Sequence, residues 1–323
     1  MAVPNLGDLV ATTLAKWDTK LFDTITTEHA LLNTMAKKGN VAVTSNGREI
    51  YEPVIYGENS SQKWYSGYEV FTPPTDQNAI DVASYQWKQQ GSFISISGLE
   101  AIQNSGESQM ISFAEGRTKQ AMANLKNTAG QAMFSTGTGS GGKEIGGLQL
   151  LVADNPAAAG TVGGIDQVAN TWWRNAFNTT VTGSAGAAIQ LALVTAMNSM
   201  WRQVTVGTEK PDIIVMDDVG FGIYEASLQD QVRFTQTNKA DAGFGELAYK
   251  QAAVVFDAYC PLRHVYMLNT DTLFLRAAPG RMWNRDEKRK IQNADYDVIP
   301  IWFMGNLVTG NRKRNGVISF TVS

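Results

Sequence analysis

The stretch from Asn104 to Ser135 reads as one uninterrupted helix of about eight turns, spanning about 45 Å. A rod of that length obliges the rest of the chain to supply neighbours along its whole face. Apolar residues recur at helical spacing: Met110, Phe113, Ala114, Ala121, Leu125, Ala129 and Ala132, with Ile111, Met122 and Met133 beside them. Asn104 with Glu107 has the form of a capping box, and the glycine-rich run from Gly137 ends the helix where left-handed backbone costs little. Gly116 and Gly130 each cost about 1 kcal/mol against alanine inside a helix, which predicts that another segment approaches closely there.

Upstream, two short amphipathic patterns occupy residues 6–37: Leu6, Leu9, Val10, Leu14 and Trp17, then Leu21, Phe22, Ile25, Leu32 and Met35. They predict helices with one apolar face each, which either fold back on their own domain or lie on a neighbour. From Val41 to Ser97 the period changes to two, through Val41 and Val43, Ile50 to Tyr56, Ile80 to Gln86, and Phe93, Ile94 and Ile96. This predicts a long β-hairpin whose tip, Gly57 to Asn78, gathers Trp64, Tyr65, Tyr68 and Phe71 beside Pro73-Pro74. A lone two-stranded hairpin is marginal in water and an exposed aromatic tip is a liability. Either its own domain or another subunit covers it.

After the helix, Gly137 to Lys143 matches two common phosphate-loop patterns in composition and fails both in context. Each needs a strand before the glycines, where this chain has a helix, and Glu144 stands where the phosphate loop needs Ser or Thr. It reads as a flexible turn. From Leu148 to about Asp271 helices and strands alternate: a helix over Ala185 to Gln203, a buried strand Ile213 to Met216, a helix from Asp218 to about Leu228, and strands at Val254 to Phe256 and Val265 to Leu268. Leu273 to Leu275 reads as a further strand just beyond. Asp217 and Asp218 at the strand end are metal-ligand types, but a strand-to-helix turn wants an aspartate cap, and the cap is the favoured reading. Near the end, Arg285-Asp286-Glu287-Lys288-Arg289-Lys290 precedes an apolar strand Ile299 to Phe303, and Arg312-Lys313-Arg314 precedes a strand Val317 to Val322. Such basic clusters are solvated faces or ion pairs; the sharper alternative is contact with nucleic acid.

The bounds are set by 323 residues, 43% of them hydrophobic and 18% charged, enough for two domains or one elaborated one. Twenty-seven basic against 30 acidic residues give a net charge of −3, so any affinity for nucleic acid must be local. Cys260 is the only cysteine and His29 and His264 the only histidines, which leaves no internal disulfide and little for a metal site. No catalytic constellation stands out, no cofactor is implied, and the N-terminus lacks the pattern of a signal peptide. No apolar run reaches the roughly 18 residues of a membrane span.

Several segments, in order, resemble the major capsid proteins of tailed bacteriophages with the Hong Kong 97-like fold. They are Gly146-Gly147-Leu148; Thr161 to Asp166 leading to Trp172-Trp173-Arg174; Lys210-Pro211-Asp212; Leu228-Gln229 with Arg233-Phe234-Thr235; Ala240 to Phe244; Val254 to Asp257; Leu268-Asn269-Thr270; and Gly305-Asn306-Leu307 before Asn311-Arg312. The resemblance implies an α+β chain with an N-arm (1–40), an extended E-loop hairpin with flanking strands (41–97), a peripheral domain around a spine helix (98–147 and 272–308) and an α/β axial domain (148–271 and 309–323). It implies a structural protein, not an enzyme, that builds hexamers and pentamers into an icosahedral shell around double-stranded DNA held without sequence specificity. Within the same fold, the alternative is an encapsulin-type compartment packaging a cargo protein.

Implied partners are further copies of the chain, a portal, a scaffolding protein supplied as a separate chain, and a decoration protein in some shells, with no membrane. Assembly would take place in host cytoplasm and the destination would be the virion. Trp64, Tyr65, Tyr68, Phe71, Trp17 and Phe22 are the expected subunit-interface residues. Arg285, Lys288, Arg289, Lys290, Arg312, Lys313 and Arg314 are the expected basic residues of an inner surface or interface. The Ala-, Gly- and Thr-rich region Asn155 to Gly186 departs most from compact family members and is expected to be a loop at an outer or axial surface.

Overall fold

The computed structural model describes residues 29–44, 47–58, 61–70, 79–103, 113–158, 160–232 and 247–322. Its elements are α1 (Ala30–Lys37), β1 (Val41–Val43), β2 (Glu49–Ile55), β3 (Ile80–Gln86), β4 (Lys88–Ser97), α2 (Gly98–Gln103) and α3 (Phe113–Ala132). There follow β5 (Thr161–Val162), β6 (Ile165–Asp166), β7 (Ala176–Gly183), α4 (Ala187–Val204), β8 (Ile213–Met216), α5 (Asp218–Val232), β9 (Leu247–Tyr249) and β10 (Ala252–Phe256). The last are β11 (His264–Leu268), β12 (Leu273–Arg285), β13 (Arg289–Lys290), β14 (Tyr296–Thr309) and β15 (Gly316–Val322).

The central helix is α3, 20 residues long. The expected cap at Asn104 and the first turns fall outside the described residues. At its other end the helix tightens, with Phe134 N–H bonding Gln131 O and Ser135 N–H bonding Ala132 O, so it stops one turn short of the expected Ser135. The glycine-rich stretch then turns back, and Leu148 N–H returns to Met133 O at 2.7 Å. Close approach at Gly130 is real: a Cβ there would stand 2.0 Å from the ring of His29.

One face of α3 lies on a five-stranded sheet, where Leu125 meets Ile94, Ile96, Ile299 and Ile301. Strand β14 is its axis, antiparallel to β4 on one edge (Ser97↔Tyr296 to Lys88↔Gly305) and to β12 and β13 on the other. Parallel β1 extends the sheet beyond β12. Phe93, Ile94 and Ile96 therefore do not close the long hairpin expected over 41–97. Period-two alternation tells which faces a strand presents, not which strand it pairs with, and β4 pairs with β14, about 200 residues away in sequence.

A six-stranded sheet, ordered β7-β15-β11-β8-β10-β9, forms the α/β unit. Its middle strand β8 is the unbroken apolar run Ile213-Ile214-Val215-Met216, buried on both faces as such runs require. Ile213 and Val215 enter the core shared with Leu148, Leu273 and Phe303, while Ile214 and Met216 enter the core beneath α4 with Leu193, Met197 and Phe320. Asp217 caps α5 by accepting from Gly220 N–H at 3.0 Å, and it also accepts from Arg263 N–H at 2.7 Å.

The region 155–186, expected as a surface loop, is built structure in its described part. A β5–β6 ribbon leads to a tight turn at Thr171–Trp173 and then β7. Trp173 is buried and donates from Nε1 to Val162 O at 2.8 Å. An abundance of small residues is compatible with ribbon and strand once two tryptophans and Ile165 supply the packing.

Arg312 corrects a second expectation. It is 1% exposed, not a surface cation. Its guanidinium donates to Leu151 O (2.7 Å), Gln167 Oε1 (3.1 Å) and Asn175 Oδ1 (3.1 Å), and it lies 6.0 Å over the ring of Trp173. Burial pulls its pKa down to about 10, so it stays charged at neutral pH. Arg312→Met removes the donor from three buried acceptors, of which Asn175 Oδ1 keeps the Ala153 N–H, and should cost about 3 kcal/mol. Arg312→Lys should recover little, because one ammonium cannot reach acceptors in three directions. Urea unfolding midpoints measure both.

His264 links the crossover from α3 to the α/β sheet. Its Nε2 faces Asp154 Oδ2 at 2.9 Å and its Nδ1 faces Leu262 O at 2.7 Å, so both nitrogens want a proton. Burial alone would lower its pKa, but the hydrogen bonds to Asp154 and Leu262 O, with the charges of Asp154 and Asp217, outweigh it and raise it. The stabilisation is therefore full below the ordinary value of about 6.5 and is lost as pH rises through the higher folded value. Unfolding free energy should fall from pH 6 to pH 9, and Asp154→Asn should flatten that slope.

Candidate intersubunit surface

Strands β2 and β3 pair in register from Glu49↔Gln86 to Ile55↔Ile80. Alternation gives this ribbon two unlike faces. Ile50, Val54, Ala83 and Tyr85 are buried in the main core, while Tyr51, Ile55, Ile80 and Val82 are exposed on the other side.

The base of the hairpin is fastened at four points. Ser84 N–H bonds Gly163 O in the β5–β6 turn at 2.8 Å, and Tyr85 Oη donates to Thr309 O at 3.1 Å. Glu52 pairs with Arg276 Nε at 2.8 Å, with both side chains largely buried. Tyr56 stacks on Trp172, with centroids 4.3 Å apart and planes 11° from parallel.

Beyond Tyr56 the tip's aromatic groups among the described residues stand exposed. Trp64 is 101% exposed, Tyr68 105% and Tyr65 64%, with Val70 beside them. The tip has some order of its own: Lys63 Nζ lies 3.6 Å from Glu69 and donates to Val70 O at 3.1 Å. Large rings held clear of their own core have the composition of interface anchors. Of the other expected interface residues, Phe71, Trp17 and Phe22 lie outside the described residues.

The expected basic residues do not form one patch. Arg285, Lys288, Arg289 and Lys290 are exposed near the β12–β13 end of the five-stranded sheet, where Lys288 pairs with Asp297 at 2.6 Å and Arg289 with Asp286 at 3.4 Å. Lys313 and Arg314 sit at the far end of β14, about 35 Å along the strand, where Arg314 pairs with Glu209 at 2.7 Å and Lys313 is exposed. Sequence reasoning missed the stack of Tyr56 on Trp172 and the Glu52–Arg276 pair. Nothing local signals contacts between residues so far apart in sequence.

With this architecture, solved structures can be compared over nearly the whole chain. The cyanophage A-1(L) capsid matches at 18% identity and TM-score 0.65, over 94% of this chain and 96% of that one. The capsid of Myoviridae phage XM1 matches at 13% identity and TM-score 0.56, over 95% of this chain and 97% of that one. The holo-SrpI encapsulin complex of Synechococcus elongatus matches at 8% identity and TM-score 0.58, over 99% of this chain and 96% of that one. No protein-family model matches the sequence, and no curated protein matches it. At these identities the likeness is one of fold: the chain has the Hong Kong 97-like fold of tailed-phage capsid proteins.

Because Trp64 and Tyr68 are fully exposed, the double substitution Trp64→Ala with Tyr68→Ala should leave the unfolding free energy of the isolated chain within about 0.5 kcal/mol. Ile50→Ala at the buried base should cost about 3 kcal/mol. Denaturant titration of the two variants side by side checks the contrast.

Proposed function

We propose that this chain is a shell-forming subunit, the major capsid protein of a tailed bacteriophage, assembling through hexamers and pentamers into an icosahedral shell around double-stranded DNA. The observation that carries this reading is the match of nearly the whole chain to phage capsid structures. The exposed tip supports it physically. Burying one such ring is worth on the order of 2 kcal/mol, so several repeated at every junction would dominate a lateral contact. Closed shells need heterologous contacts whose rotation closes, and many modest contacts add through multivalency.

In this reading residues 1–40 are the N-arm, 41–97 the E-loop with its flanking strands, 98–147 with 272–308 the peripheral domain, and 148–271 with 309–323 the axial domain. Strand β4, from the E-loop block, completes the peripheral sheet. The exposed basic residues Arg285, Lys288, Arg289, Lys290 and Lys313, with the part-buried Arg314, serve the inner surface or an interface. Scaffolding and portal proteins, and in some shells a decoration protein, complete the assembly in host cytoplasm. The role is structural, without a catalytic step.

A second reading, an encapsulin-type compartment holding a cargo protein, is favoured by the encapsulin match over 99% of the chain. Deleting residues 58–77 separates fold from assembly: circular dichroism and sedimentation should find a folded subunit that no longer builds shells. Outright unfolding would mean that the tip belongs to its own core, and normal shells would mean that it is not the lateral clamp. Nucleic-acid content of purified full-length particles decides between DNA and protein cargo, and a chain that stays monomeric at high concentration would defeat both readings.

A further inference from the structure

His29 stands at the N-cap position of α1, where Ser, Thr, Asp or Asn would ordinarily satisfy the first helical N–H groups, yet its side chain makes no capping bond. It is buried instead against the backbone of α3 at Gly130, where even a methyl group would not fit, with its ring centroid 5.1 Å from that of Tyr259. Facing it is Asp257, also buried. One carboxylate oxygen of Asp257 accepts from Tyr259 N–H at 3.0 Å, while the other lies 3.8 Å from His29 Nδ1. That second oxygen and both imidazole nitrogens have no hydrogen-bond partner among the described residues. Buried polar atoms are nearly always matched, so three orphans in one contact call for a physical reason.

We propose that His29 and Asp257 form a proton-controlled latch that fastens the start of α1 to the junction between α3 and the α/β sheet. With one proton shared between them the pair has no net charge, and a closing movement of about 1 Å makes a charge-assisted hydrogen bond. Without that proton a carboxylate is left buried with no cation, and the contact loosens. Burial pushes the Asp257 carboxyl above its ordinary range, against the opposing pull of the Tyr259 N–H and of His29.

Among the described residues no other side chain forms an ion pair or hydrogen bond with the His29–Asp257 contact. On the β10–β11 connection the other titratable groups are Tyr259, the half-buried Arg263 and the buried Cys260, whose thiol is pushed up by burial and by the charges of Asp217 and Asp257. Helix α3 presents Gly130, and its cation one turn earlier, Lys126, is exposed. On the α1 side, Lys38 is engaged by Asp212 and Asp271.

The test is hydrogen–deuterium exchange of the full-length chain from pH 6 to pH 9, corrected for the intrinsic pH dependence of exchange, with the peptide covering residues 30–43 compared with one covering β8. Protection of the first should fall at least tenfold relative to the second as pH rises. Asp257→Asn should abolish the step, and His264→Asn should leave it. Gly130→Ala should remove protection of the 30–43 peptide at every pH while β8 stays protected. A wild-type chain with no step, an Asp257→Asn chain that keeps it, or a His264→Asn chain that loses it would overturn the latch. Full protection in Gly130→Ala would show that the ring packing is not what holds α1.

Discussion

The guanidinium of Arg312 sits at one of the two short turns that carry the chain directly from one sheet to the other, the second being 269–272 between β11 and β12. Strand β14 carries β4, β12 and β13 as its partners, and after it the chain turns through Arg312 into β15 of the other sheet. A buried cation with only neutral acceptors is tolerable when its donors are well satisfied, and here Leu151, Gln167 and Asn175 supply the acceptors from the crossover between α3 and β7. The same turn thus binds three parts of the chain that are distant in sequence. The way one sheet is held against the other passes through it.

From this fixed body the β2–β3 ribbon projects with a sharp division of labour. Its inner face and base are held by a part-buried ion pair, a ring stack and hydrogen bonds. Its tip holds Trp64, Tyr65 and Tyr68 exposed. A rigid base with an uncovered apolar end delivers the rings at a fixed distance and angle, which lowers the ordering cost of any contact they make.

The two histidines show how burial sets a side chain's role. His264 has an oxygen within hydrogen-bond distance of each nitrogen and holds two segments together. His29 has a carboxylate near at hand and a hydrogen bond with neither nitrogen. One is a satisfied structural contact. The other keeps an interaction in reserve, and the glycine beneath it has no side chain that would push the ring away.

Much of this was legible in the sequence. Helical spacing placed α3 and α4, the unbroken Ile213 to Met216 run gave a strand buried on both faces, Asp217 read correctly as a cap, and Gly130 marked a close approach. These features follow from local periodicity and backbone sterics, which each residue carries with it. The exposed aromatic cluster was visible for the same reason, since composition and turn residues define a hairpin tip. What only the tertiary structure decided were the pairings: β4 with β14 instead of within the hairpin, Tyr56 with Trp172, Glu52 with Arg276, and the burial of Arg312 in a sequence that reads as a basic surface triplet. A charged residue's burial depends on acceptors brought from elsewhere in the chain, and a strand's partner depends on which edges the whole topology leaves open. Neither is a property of the residues near it in sequence.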